Sequence, residues 1–247
     1  MALIVTQLVS GTTHSKICRI MSEFFSTDHL NQQTTRISRR TITNIADKVA
    51  DLMRKFESKV LKLEKSREWQ IDEIFQKKGN GNHFKIINVI DVDTRYILAT
   101  HVSESRGLKD ALAALNKAIN NARELPEVLK CDGHVEYKKA AERLMSGVKI
   151  QSVPKSKDFS HINVIEGTQN RMRGTISRRK TYKSMKNLQN LADIFRFDHN
   201  FFFRKENVDK PPVTHAGINL PSNLTWKKII QIANLVVETK IVDQLIL

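Results

Sequence analysis

An α/β fold is what this sequence predicts: a mixed five-stranded sheet flanked by helices and preceded by a small helical segment. Three observations carry it. Three β-rich runs follow one another at short spacing, "WQIDEIF", "HFKIINVI" and "RYILATHV". Two further short strands then alternate with helical patterns, giving the order βββαβαβα. Ahead of all of these, from about residue 15 to residue 68, apolar residues recur at helical spacing.

The elements read in order as follows. Ile17, Ile20, Met21 and Phe24 make one short amphipathic segment, and the polar stretch "STDHLNQQTTR" separates it from a second. There Ile42, Ile45, Val49, Leu52, Met53 and Phe56 recur three and four apart, with Ser38 placed to cap the first turn. The pair reads either as a helix-turn-helix, with Arg36, Arg39 and Arg40 at the start of its second helix, or as two helices packed plainly on the core. "QKKGNGN" and "DVDT" join the first three strands as consecutive antiparallel hairpins, so Asp91 and Asp93 read as turn formers. A helix over about 107–123 places Leu108, Ala111, Leu112, Leu115 and Ile119 on one face. After it come strand "EVLKCD", helix "EYKKAAERLM", strand "VKIQSV", the polar loop "PKSKDFSH" and a last helix of the sheet domain. A meander followed by β–α repeats requires a mixed sheet with helices against it. The predicted division is 1–66 helical, 67–204 the sheet domain, and 205–247 an extension with a terminal helix.

Bulk composition speaks to partners. Lys and Arg number 41 against 26 Asp and Glu, a net charge of +15, which points to a polyanion and favours nucleic acid over a membrane surface. The opening "MALIVTQLV" has no basic flank and too short an apolar core for a signal peptide, and Glu238, Lys240 and Asp243 interrupt the apolar C-terminal run. No membrane span is expected. Cys18 and Cys131 are too far apart in sequence for a metal knuckle and are too few for a disulfide framework, so a reducing cytoplasm is the expected compartment.

Three carboxylates suggest chemistry. Asp72 falls mid-strand in the first run, Asp132 ends the fourth strand just before Gly133, and Glu166 lies on the last helix. Strand ends are where ligand sites form in open α/β sheets. Three oxygen ligands from separate elements suit a hard divalent cation, magnesium above all. Two such ions about 4 Å apart can activate a nucleophile and stabilise a leaving 3′-oxygen at phosphorus. Glu166 heads the stretch "NVIEGTQNRMRGTISRRKTYKSMKN", in which it is the only acid among seven basic side chains. On a helix Glu166, Asn170 and Arg173 share one face beside an apolar stripe of Ile162, Ile165, Met172 and Ile176. That arrangement would set one carboxylate at an ion and Arg173 at a phosphate of the same strand.

At these residues the chain resembles the DDE transposases of bacterial and archaeal insertion sequences, whose ribonuclease H-like core is shared with retroviral integrases. The resemblance is carried by "WQIDEIF", "NVIDVDTRYILATHVSESRG", "VLKCDGHVEY" and the stretch that begins "NVIEGTQNRMRG". Asp132 and Glu166 are 166 − 132 = 34 residues apart, close to the family's spacing, and Arg173 stands seven after Glu166, where the family often has a base. It covers about residues 67–200. "KPPVTHAGINLP" looks like a degenerate form of a late family motif.

The resemblance implies a ribonuclease H-like fold and two magnesium or manganese ions, with Asp72 bridging both and Asp132 and Glu166 each completing one. It also implies cleavage at transposon ends, joining of the 3′-hydroxyl to target DNA, and a homodimer or higher oligomer in the synaptic complex. Arg39, Arg40, Arg171, Arg173, Arg178, Arg179 and Lys180 are the expected DNA contacts. The rival readings are an inactive relic acting as a sequence-specific DNA-binding protein and a ribonuclease H-like nuclease that hydrolyses without joining. His134, two after Asp132, reads as a bystander or phosphate contact, and Phe201, Phe202 and Phe203 read as core.

Overall fold

The structure is a computed structural model that describes all residues except 26–36, 61–65, 123, 154–162, 180, 205–209, 219, 222 and 240–247. The polar connector after Phe25, the loop before Asn163, and the positions of Arg36, Lys180 and Ile162 therefore lie outside the described residues. In chain order the elements are α1 (Ala2–Val9), α2 (His14–Phe25), α3 (Arg39–Val60), β1 (Glu68–Lys77), β2 (His83–Asp91), β3 (Ile97–Ser103) and α4 (Leu108–Ala122). They continue as β4 (Val128–Asp132), α5 (Val135–Leu144), β5 (Lys149–Val153), α6 (Asn163–Ile176), α7 (Met185–Phe202), α8 (Pro212–His215) and α9 (Trp226–Thr239).

The sheet has the order β3-β2-β1-β4-β5. β1 pairs antiparallel with β2 and parallel with β4, β2 is antiparallel to β3, and β4 is parallel to β5. This is the ribonuclease H-like arrangement: a hairpin meander on one side of β1 and two β–α returns on the other. Gly81, at φ +87°, turns the β1–β2 hairpin, where Lys78 N–H donates to Asn82 O at 2.7 Å. Asp91 makes the next turn, its Oδ1 accepting from Asp93 N at 2.8 Å and Thr94 N at 3.3 Å. Both acids of "DVDT" are thus turn residues, with Asp93 also paired to Arg67 at 2.8 Å.

An edge strand leaves backbone groups that need partners. On β3 two side-chain amides of α7 supply them. Val102 N–H donates to Gln189 Oε1 at 2.8 Å, and Gln189 Nε2 donates to Thr100 O at 3.2 Å. Further along, Ile97 N–H donates to Asn200 Oδ1 at 2.8 Å and Asn200 Nδ2 returns a bond to Ile97 O at 3.0 Å. The helix imitates a sixth strand at two points, and so closes the edge.

Outside α7 lies a helical layer that the terminal segments build. α3 packs along α7 and α9, and α1 touches α3, α7 and α9. Ser38 caps α3 as expected, its Oγ accepting from Thr41 N at 3.1 Å. Phe56 meets Phe197 and Phe201 at ring separations of 6.3 and 6.0 Å, and Lys59 Nζ reaches the carbonyls of Val236 and Val237 in the last turn of α9. Within this layer Glu57 and Arg196 form a buried two-pronged ion pair, and Tyr96 Oη donates to Glu57 Oε1 at 2.7 Å. The first and last segments therefore share one continuous apolar cluster with the sheet. No helix among the described residues is long and apolar enough to cross a membrane.

Asn200 is fully buried, so its loss strands two backbone groups of β3. Asn200→Leu is expected to destabilise the protein by about 2–4 kcal/mol in urea unfolding, while a surface change such as Lys227→Ala has little effect.

Candidate active site

The parallel pairing of β1 with β4 ends at Ile71 opposite Cys131. One residue later both strands present a carboxylate, Asp72 and Asp132, each buried. The position follows from topology: β1 continues past Asp72 to Lys77 alongside β2, while β4 stops at Asp132 and leads into α5, so the two strands part at the acids. Gly133 carries the chain out of β4, and the backbone N–H of His134 donates to Asp132 Oδ1 at 3.0 Å, fixing that carboxylate. The His134 ring caps α5, with Nδ1 accepting from Glu136 N at 3.2 Å. A cap was not foreseen for it.

A third carboxylate joins these two, and the sequence did not single it out. Oxygens of Asp72, Glu73 and Asp132 all lie within 4.8 Å of one another, in a buried group that could hold a metal ion. Glu73 follows Asp72 on β1 and keeps a carboxylate oxygen within reach of the other two. Its two oxygens also have partners of their own: Arg106 Nη1 donates to Oε1 at 2.7 Å and Tyr137 Oη donates to Oε2. A buried charge in an apolar strand needs such partners. That rule was the available signal, though neither partner was identifiable from it.

Glu166 lies outside this 4.8 Å group, in the first turn of α6, and is half-buried. The start of its helix is nonetheless hooked to the Asp72 face of β1. Gln70, two residues before Asp72 and so on the same face, accepts from Ile165 N at 3.0 Å. Ile165, Met172 and Ile176 are buried as the apolar stripe requires, joined by Thr168 and Gln169. Asn88 pairs across from Asp72 on β2. Two buried polar atoms, Asn88 Oδ1 and Gln169 Nε2, have no hydrogen-bond partner among the described residues. The clustered buried carboxylates, with the unpartnered Asn88 Oδ1 on the neighbouring strand, suit a hard divalent cation, which takes oxygen ligands and water.

The basic residues divide. Arg39 and Arg40 are exposed at the start of α3, and Arg173 is exposed on α6, where it donates to Asn170 Oδ1 at 2.7 Å. Arg178 is exposed but donates to Ser10 O at 2.8 Å, tying the end of α1 to the turn after α6. Arg179 lies in that turn. Arg171 instead turns toward α7: its guanidinium stacks 3.4 Å from the Phe203 ring centre and donates to His199 Nδ1 at 2.6 Å. His199 in turn donates from Nε2 to Arg95 O at 3.0 Å. Phe201 is buried in the core, stacked on Phe197 at 3.9 Å.

Comparison with known proteins follows the same lines. Residues 66–203 match a family profile described as a DDE domain. No curated protein matches the chain in sequence. Among solved structures, the catalytic core domain of BIV integrase is 12% identical with a TM-score of 0.45, covering 61% of this chain and 93% of its own. The simian T-cell lymphotropic virus intasome in complex with PP2A regulatory subunit B56 gamma is also 12% identical, with a TM-score of 0.48, covering 85% of this chain and 76% of its own. The fold assignment rests on the strand order.

Burial, with Arg171 beside it, holds the His199 pKa down at about 3, against an ordinary value of 6.5. The unfolded chain therefore takes up a proton below pH 6.5 that the folded one refuses, and stability is lost as pH falls from 6.5 toward 3. Relative to His199→Gln, the parent should lose up to about 1.4 kcal/mol more per pH unit across that window. Parallel slopes in urea titrations of the two proteins would show that His199 protonates freely in the fold.

Proposed function

Because the chain belongs to the DDE transposase family, we propose that it cuts DNA at the ends of a mobile element and joins the freed 3′-hydroxyl to target DNA. The observation that carries this reading is the meeting of buried Asp72 and Asp132 where two adjacent parallel strands stop pairing, with the helix of Glu166 hooked to the same sheet face. Asp72, Asp132 and Glu166 would hold two divalent cations, magnesium or manganese. When bound, these supply activation of the attacking water or 3′-hydroxyl and charge stabilisation at the leaving 3′-oxygen.

The chain's own groups do the positioning. Asp132 is aimed by the His134 N–H, and Gln70 fixes where α6 begins relative to Asp72. Glu73 serves a different purpose from its neighbour. With Arg106 and Tyr137 already on its two oxygens, it clamps the β3–α4 connection and α5 to β1. Arg173, two turns beyond Glu166, would pair with a phosphate of the strand being cut, and Arg39 and Arg40 would contact DNA at the element's end. Bringing two ends together calls for at least a dimer in the working complex, and the DNA substrate places that work at the cytoplasmic nucleoid.

Strand-transfer assays on duplexes carrying the DNA that flanks the reading frame test this directly. Asp72→Asn, Asp132→Asn and Glu166→Gln should each lower cleavage and joining by at least about 1,000-fold, because the amide keeps shape but loses ligand charge. Magnesium at a hundred times its dissociation constant should stabilise the parent by about 2.7 kcal/mol, and that gain should vanish in Asp72→Asn. Full activity in any one amide would remove that residue from the site.

Arg173→Ala should weaken DNA binding without changing the magnesium effect, and should reduce the slope of log affinity against log salt by about 1. An unchanged slope in anisotropy titrations over a salt series would place Arg173 off the DNA.

A further inference from the structure

On the α7 side of α6 lies a second cavity, of about 300 Å³, lined by Arg95, Val164, Gly167, Arg171, His199 and Phe203. We propose that it takes one unstacked nucleotide of the bound DNA strand, its phosphate paired with Arg171 and Arg95 and its base against the wall of Val164 and Phe203. The proposal rests on the DNA-processing reading above and adds a subsite to it.

Charge is the first argument. Among the described residues no carboxylate lies within ion-pair distance of Arg171 or Arg95, although Arg171 is only half exposed. Burial pulls the Arg171 pKa down, opposed only by the field of Asp198. A partly desolvated guanidinium without an acid is a position that an anion completes. Preorganisation is the second. Arg171 is held in place by its stack on Phe203 and by its bond to His199, and the same ring fixes the Arg95 carbonyl. Arg95 itself stands at φ 62°, at the end of the tight β2–β3 turn that Asp91 closes. Neutral His199 can serve both arginines because it accepts from one and donates to the backbone of the other.

Placement and shape are the third. Gly167 directly follows Glu166 and lies one turn before Arg171, so a strand running along α6 within reach of Glu166 passes the mouth of the cavity. Both the volume and the mixture of guanidinium, aromatic and aliphatic wall suit a nucleotide better than a bare phosphate. Gly167 is what leaves the space open: a Cβ added there meets nothing within 4 Å.

That last fact provides the test. Gly167→Leu should fill the cavity from a site where the added Cβ has room. Binding of the full chain is measured by anisotropy to a labelled thymidine strand about twelve nucleotides long and to an abasic strand of equal length. The parent is expected to prefer the thymidine strand by roughly tenfold. Gly167→Leu should lose that preference while keeping the parent's melting temperature and its affinity for the abasic strand. Arg171→Ala should weaken binding of both strands. A Gly167→Leu protein that melts like the parent and retains the preference, or a parent with no preference, overturns the proposal. A parent that binds neither strand overturns the DNA-processing reading itself, a result distinct from loss of the base preference alone.

Discussion

Mutual repulsion of buried carboxylates is the constraint around which this molecule is arranged. Asp72 and Asp132 are brought together because β1 and β4 run parallel up to Ile71 and Cys131 and then part. Like charges this close in a partly desolvated crevice cost several kcal/mol unless a cation or donors compensate them. The fold supplies part of the compensation itself: the His134 N–H for Asp132, and Arg106 with Tyr137 for Glu73. The charge left over is what a hard divalent cation would compensate.

The layers around the site are non-local. The β3 edge is closed by Gln189 and Asn200 of α7, roughly ninety to a hundred residues further along the chain. α7 is backed by α3 through Phe56, Glu57 and Arg196, and α3 is held at its far end by the Lys59 contacts to α9. The α6 helix, which carries Glu166, Arg171 and Arg173, is fixed between β1 and α7. A shift of α7 would thus move both the carboxylate side and the guanidinium side of α6 together. Segments far from the acids in sequence have a stake in their geometry.

How much of this could be read from the residues depends on range. The succession of strands and helices along the chain, the capping of α3 by Ser38, the turn roles of Asp91 and Asp93 and the core position of Phe201 all follow from local spacing and chemistry. So did the meeting of Asp72 with Asp132, which needs only the topology. α1 is too short for its helical spacing of Ile4, Val5 and Leu8 to stand out in an almost wholly apolar run; its packing on α3, α7 and α9 shows it. Glu73 was passed over because its partners stand 33 and 64 residues away. The sequence places Arg171 with the other expected DNA contacts and does not separate it from Arg173. The period that puts it on the other flank from Arg173 was visible, but the rings of Phe203 and His199 that receive it were not.

The central claim is that the ion-binding acids are Asp72, Asp132 and Glu166, with Glu73 retained by Arg106 and Tyr137. A crystal of the protein grown with manganese, measured for anomalous scattering at the manganese edge, tests it most directly. The account predicts a peak ligated by Asp72 and Asp132, Glu166 drawn to it, and Glu73 still bonded to Arg106 and Tyr137. A peak held by Asp72, Glu73 and Asp132 with Arg106 displaced and Glu166 turned away would contradict it.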